Sequence, residues 1–187
     1  GKNSSLPIDT VVDWIDMMTY QISAKIKITV DIYDGINRVE TKKFKARPFG
    51  KIIEKFVPDI KKVFYDPIIL SGDSSIVETI TDSTIDSKTD KVKVKDKKVK
   101  KDIHLDVVFT HDDTPENDYV SFCNFTKTDE GGVHLDSVEE VVCRFFQQKT
   151  KSFMTDKEKE KWDITWADIK YGLKMVVNLS TSAQVQF

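Results

Sequence analysis

The side chains able to do chemistry in this sequence are few and scattered. His104, His111 and His134 are its only imidazoles, and Cys123 and Cys143 its only thiols. His104 and His111 lie an odd number of positions apart on one apolar-alternating segment, so a regular strand points them to opposite faces. They share no metal without a bulge and read as surface histidines. Neither cysteine has a base placed beside it by the sequence, and both read as small core residues rather than nucleophiles. Loops that cradle phosphates need clustered glycines, because backbone amides must approach the ligand closely. Of seven glycines the sole adjacent pair is Gly131-Gly132, and no Walker-type loop or dinucleotide fingerprint is present. The expectation is a chain without catalytic, cofactor-binding or metal residues of its own.

Two segments remain. Between positions 88 and 101 stand eight lysines: Lys88, Lys91, Lys93, Lys95, Lys97, Lys98, Lys100 and Lys101. Residues 82–102 read as a solvated hairpin tip or mobile loop. Their functional reading is contact with DNA phosphates by Lys91 to Lys101, which needs mobile ammonium groups and no base-reading geometry. The formal charge of the chain is −2, so any contact with nucleic acid must come from such a local patch. The second segment runs Ser121-Phe122-Cys123-Asn124-Phe125-Thr126-Lys127-Thr128-Asp129-Glu130-Gly131-Gly132-Val133-His134. It reads as a strand, a polar turn, two glycines that permit tight backbone geometry, and a helix start. Asp129-Glu130 would favour the positive end of that helix. Spacing alone is equally compatible with a purely structural strand-to-helix turn.

The elements around these segments follow from periodicity. Ile8, Val11, Val12, Ile15 and Met18 recur at helical spacing, with Pro7 tolerated in the first turn. Ile26, Ile28, Val30 and Ile32 alternate with polar residues as a half-buried strand. Asp34-Gly35 supplies a tight turn, and the chain returns through Val39 to Phe44. Pro48 to Val57 reads as a helix and Val63 to Leu70 as a strand ending at Ser71-Gly72-Asp73. Ile76–Ile80 and Leu105–Phe109 read as a further pair of strands. Tyr119 to Phe125 is a strand, and helical periodicity runs through Leu135, Val138, Val141, Val142 and Phe145. Thr155 with Glu158, and Thr165 with Asp168, have the spacing of capping boxes. Gly172 stops the second of these helices before a last apolar strand, Leu173 to Leu179. The class is α+β with a largely antiparallel or mixed sheet.

With 187 residues, 39% of them hydrophobic, the chain can bury a core of ordinary size. No apolar run approaches the roughly 20 residues of a membrane span, and reduced, buried cysteines predict a cytoplasmic location.

The Ser121 to His134 segment resembles the type II DNA topoisomerase signature of the gyrase B and eukaryotic topoisomerase II families. There a Ser-Phe-x-Asn strand leads into Glu-Gly-Gly-Thr-His at the mouth of a long helix. Ser121, Phe122, Asn124, Glu130, Gly131, Gly132 and His134 match; Val133 stands where the family has Thr, which predicts loss of a hydroxyl cap worth roughly 1 kcal/mol. Trp166 to Val177 is similar to the family's helix-to-strand step, Asp-x-x-x-Gly-Leu-x-x-Val-Val. The lysine-rich insertion and divergent core look most like the large subunit of a T-even bacteriophage member.

The resemblance implies a transducer domain over residues 21–187, preceded in residues 1–20 by a helix and linker from the end of an ATPase domain. It implies a split β-α-β, ribosomal-protein-like fold, with helices packed on one face of a mixed sheet. In the family this domain relays nucleotide state to the DNA gate and lines the DNA cavity. ATP and Mg2+ are then cofactors of the parent enzyme only, and the lysine that senses the γ-phosphate would follow Phe187. Implied partners are duplex DNA, other topoisomerase subunits and a second copy of the chain. Two other readings stay open: the post-ATPase domain of a mismatch-repair or chaperone-type ATPase, and a non-enzymatic nucleic-acid-binding module.

Overall fold

The computed structural model describes residues 7–22, 25–57, 59–85 and 92–183. A first helix, α1 (Ile8–Gln21), begins after Pro7, which sits just outside it, and buries its last residues, Thr19, Tyr20 and Gln21. Strands β1 (Lys27–Asp34) and β2 (Asn37–Lys45) then form a separate two-stranded antiparallel sheet. The turn between them is Gly35-Ile36, and only Gly35 takes a positive φ, of 62°. Asp34 itself completes the strand.

Pro48 to Val57 coils as expected, but as a 3₁₀ helix over Phe49–Lys55 rather than an α-helix. The segment is short, carries Gly50, and lies between Pro48 and Pro58, the second of which disfavours helical backbone at Val57. Ile52 and Ile53 are both fully buried there. The strand expected at Val63 starts only at Ile68, after Pro67.

From that point the structure departs furthest from the sequence reading. Strand β3 (Ile68–Ile85) runs straight through Ser71-Gly72-Asp73 and pairs antiparallel with β4 (Val92–His111). Gly72 is not among the glycines with positive φ, so nothing there turns the chain. Ile76–Ile80 therefore faces Lys101–Lys97 across the ladder, and Leu105–Phe109 faces Gly72–Ile68; the two apolar runs are not partners. The lysine-rich stretch is strand and not loop from Val92 onward, because alternating valine and lysine suits a pleated ribbon.

The main sheet has the order β3-β4-β7-β5-β6. Here β5 is Asp118–Cys123, β6 is Thr126–Lys127 and β7 is Leu173–Thr181. β7 runs antiparallel to β4 and parallel to β5. The crossover from β5 to β7 carries α2 (Val133–Phe153), α3 (Asp156–Lys161) and α4 (Trp166–Lys170). The mixed sheet and α+β class are as expected. The two parallel strands are direct neighbours, however, so this β-α-β unit is contiguous rather than split by an intervening strand.

Alternate residues of the central strands feed two cores. Val107, Phe109, Met175 and Val177 pack with Leu135 and Val142 of α2. Val108, Val176 and Phe122 pack on the other face with Tyr20, Ile52 and Ile53. Helix α2 thus covers one face, while the 3₁₀ helix and the end of α1 cover the second. Covering on both sides explains why β7 is buried without interruption from Leu173 to Asn178. Even Lys174 is buried, its ammonium donating to the Glu116 carbonyl at 2.8 Å and to the Asp118 carboxylate at 2.6 Å. Both capping boxes form, Thr155 with Glu158 and Thr165 with Asp168.

Candidate functional site

The matched signature residues come together where β5, the end of β7 and the start of α2 meet. Ser121 and Phe122, near the end of β5, are buried on its two faces, 1% and 2% exposed. The chain then reverses on two residues, Asn124 (φ 47°) and Phe125 (φ 68°), before Thr126 pairs back to Cys123. Two consecutive left-handed residues are the geometry of a tight hairpin turn. Asparagine tolerates that region, whereas phenylalanine is strained in it.

Hydrogen bonds hold the turn from outside. The Asn124 side chain donates from Nδ2 to the Thr181 carbonyl at 3.0 Å, and its Oδ1 accepts from the Thr181 amide at 2.8 Å. The Asn124 amide donates to the Leu179 carbonyl at 2.9 Å. On the far side, the Trp14 indole of α1 donates to the Phe125 carbonyl at 3.3 Å.

Beyond the turn, Ser121 and Thr128 share a hydroxyl–hydroxyl hydrogen bond, and the Thr128 hydroxyl lies 3.5 Å from His134 Nε2. The Thr128 amide donates to the Ser121 carbonyl at 2.8 Å. Gly131 and Gly132 have φ of 77° and 140°. The Gly132 carbonyl accepts from the amides of Leu135 and Asp136, at 2.9 and 3.1 Å, which starts α2. A Cβ on Gly132 would stand 3.2 Å from the His134 ring, so glycine and histidine fit each other. Burial holds the His134 imidazole below its usual pKa, partly offset by Asp136.

Three details differ from the sequence reading. Gly132 is the cap residue and Val133 the first helical residue, 80% exposed, so a threonine hydroxyl at 133 would not occupy the cap position. Asp129 is engaged by Lys127 at 2.6 Å, and Glu130 is exposed. Thr181 and Trp14 complete the site without having been singled out. Their signal is tertiary, since Thr181 lies 57 positions from Asn124 and Trp14 lies 111 from Phe125.

A cleft of about 990 Å³ opens beside this turn, bordered by residues 126–134, Cys123, Leu179 and Thr181. Cys123 and Cys143 are buried free thiols, both pushed up in pKa by burial. His104 and His111 lie on opposite faces of the sheet. His104 is held between Asp73, at 2.7 Å, and Asp106, at 3.1 Å. His111 bonds the Tyr65 hydroxyl at 2.5 Å and the Ile169 carbonyl at 2.7 Å. Among the described residues no group of three metal-binding side chains is close enough to hold an ion.

The lysines expected to meet DNA are not part of this site. Lys91 falls outside the described residues, as does Lys88; Lys93, Lys95, Lys97, Lys98, Lys100 and Lys101 all belong to β4. β7 pairs with β4 only from Ile103 to His111. Among the described residues, β4 from Val92 to Lys101 is therefore paired with β3 alone, and the main chain of Asp102 already bonds Thr181 and Ser182. At about 3.3 Å per residue this two-stranded ribbon reaches roughly 30 Å beyond the body of the sheet. Lys97, Lys98 and Lys100 are exposed on it.

Comparison with curated proteins gives no significant match. The fold is similar to that of the 43K ATPase domain of Thermus thermophilus gyrase B, solved in complex with an aminocoumarin, with a TM-score of 0.65 at 16% identity. The alignment covers 100% of this chain and 42% of that one. The B subunit of the Myxococcus xanthus DNA gyrase aligns over 96% of this chain and 41% of its own, with a TM-score of 0.49 at 10% identity. The chain thus spans about two fifths of the length of these solved structures. The family model described as DNA gyrase B matches residues 72–187, which include most of β3 and all of β4, the signature turn, α2 and β7. The chain belongs to the DNA gyrase B family of type II topoisomerase subunits.

Proposed function

We propose that this chain is the transducer of an ATP-dependent type II DNA topoisomerase, relaying nucleotide state to strand passage. The observation that carries the proposal is the Asn124 clamp. It binds the end of β7 to a strained turn, and Ser121, on the strand that enters that turn, is hydrogen-bonded through Thr128 to His134 at the start of α2. A displacement of the chain at Thr181 would reach a 21-residue helix through strand β5 and a few hydrogen bonds. The match to the gyrase B model favours this reading over a mismatch-repair or chaperone-type ATPase. The phage-like origin of the insertion rests on sequence resemblance alone.

ATP and Mg2+ belong to the parent enzyme in this reading, with duplex DNA, other subunits and a second copy of the chain as partners and the cytoplasm as location. The residues present do not suit a triphosphate. The one glycine pair leads into α2 beside Asp129, Glu130 and Asp136, whose carboxylates would repel it. Among the described residues no helix is long and apolar enough to cross a membrane.

The test uses the intact subunit with its partners. Asn124→Ala should leave ATP turnover within about two-fold of the parent while strand passage falls at least tenfold. Equal loss of both, or no loss of either, overturns the relay. Titration calorimetry of the 187-residue chain with a nonhydrolysable ATP analogue and Mg2+ should show no binding heat.

A further inference from the structure

The β3–β4 ribbon is unexplained by the relay, and its lysines are sorted by register. In the described part of β4, Lys97 and Lys101 share one face with Val99, opposite Ile80, Ile76 and Glu78 of β3. Lys98 and Lys100 share the other face with Asp96 and Asp102. Asp96 is also tied to its cross-strand neighbour, accepting from the Thr81 hydroxyl at 2.8 Å. The second face is therefore neutral within β4, whereas in the described part of β4 the first face carries Lys97 and Lys101 and no carboxylate, and across the ladder only Glu78 of β3 stands between them. That first face is the one on which α2 packs further down the sheet, since Val107 and Phe109 follow Lys101 in the same alternation.

We propose that this ribbon seats on duplex DNA through the Lys97–Lys101 face, following the phosphate backbone without reading sequence. The inference rests on the topoisomerase reading for its choice of polyanion. A two-stranded β-ribbon is of a size that the major groove of B-form DNA admits. Lysine suits contact that must not lock, because its hydrated, flexible ammonium attracts phosphate as a point charge and selects no base. The chain carries a formal charge of −2, so binding depends on this local patch and falls steeply with salt.

Fluorescence anisotropy of the 187-residue chain with two short duplexes of unrelated sequence tests the proposal. Both should bind alike. The log–log salt slope should be about −3 to −5, which corresponds to roughly three to five phosphates and a loss of about two to three orders of magnitude in affinity between 50 and 200 mM salt. The K97Q/K101Q variant should flatten the slope and weaken binding several-fold more than K98Q/K100Q, with the melting temperature unchanged in both. An unaltered slope in K97Q/K101Q, equal effects of the two variants, tighter binding to a single strand of the same length, or no binding at the lowest salt each overturns it. ATP turnover against strand passage in Asn124→Ala is read on different residues, so the relay and the ribbon contact fail separately.

Discussion

Asn124 holds the main chain of Thr181 with both ends of its amide, one donating and one accepting, as a neighbouring strand would. The residue sits at φ 47°, where an L side chain other than Asn or Asp is disfavoured. Its two contributions to stability, the clamp and the left-handed backbone, are separable by substitution. Asn124→Gly keeps the backbone and loses the clamp, at an expected cost of about 1–2 kcal/mol. Asn124→Ala loses both and should cost about 2–4 kcal/mol. Urea unfolding of the two variants would check the order; a glycine variant less stable than the alanine variant would contradict it.

The glycines should respond to substitution in proportion to what surrounds them. Gly172, at φ 69°, ends α4, and a Cβ there would lie 2.1 Å from the Asp112 carbonyl oxygen. That atom belongs to a backbone that also donates its amide to the Gly172 carbonyl at 3.0 Å, so it cannot retreat freely. Gly172→Ala should cost upwards of about 3 kcal/mol. Gly35 has nearly the same φ, 62°, but open space around it, and its alanine variant should lose only about 1 kcal/mol. Gly132→Val should fall between them, at roughly 1–3 kcal/mol, because the obstructing His134 ring can rotate aside. Thermal melts of the three variants would test the ranking.

Histidines set opposing limbs of the stability profile. The hydrogen bond to Asp73 raises the His104 pKa, burial opposes this, and attraction to Asp106 adds to it. Its stabilisation is complete below the unfolded value of about 6.5 and is lost as pH rises through the raised folded value. Burial lowers His111, with the Ile169 carbonyl and Asp112 partly offsetting, and burial likewise lowers His134. Their contribution is complete above about pH 6.5 and is lost as pH falls toward the lowered folded values. Denaturation midpoints from about pH 5 to 8 should therefore fall on both sides of a maximum near the unfolded value. Asp73→Asn should flatten the alkaline limb only, and His111→Gln the acid limb. A profile unchanged in both variants would show that these rings do not govern it.

Locally encoded features were legible in the sequence. The capping boxes, the Gly172 stop, the helical period of α2 and the apolar β7 each depend on residues within a few positions of one another. The stripe of α2 is nonetheless offset from the expected one, since Val141 and Phe145 are exposed while Cys143 and Phe146 face the core. The signature turn could be found but its working parts could not, because Asn124 acts on Thr181 and Phe125 on Trp14, contacts made only by folding. A hairpin was among the expectations for the ribbon, but the length of its strands was missed for a different reason. Its valine–lysine alternation is broken at Asp96-Lys97-Lys98, so it carries no sustained hydrophobic period, and Ser71-Gly72-Asp73 has a turn's composition in an extended backbone. Composition also spoke for a solvated loop because a wet ribbon and a wet loop draw on similar residues. The order of β5 and β7 depends on long-range pairing that no local pattern declares.

A two-stranded ribbon offers an open backbone edge on each side, and such edges are where identical chains add to one another in aggregates. Along β4 from Lys93 to Lys101 that hazard is met by lysines, whose mutual repulsion between copies keeps strands from docking. The charge that draws the ribbon toward an anionic backbone would on this view also keep the molecule soluble. Removing many lysines at once would then trade one association for another, with turbidity rising as the salt dependence disappears.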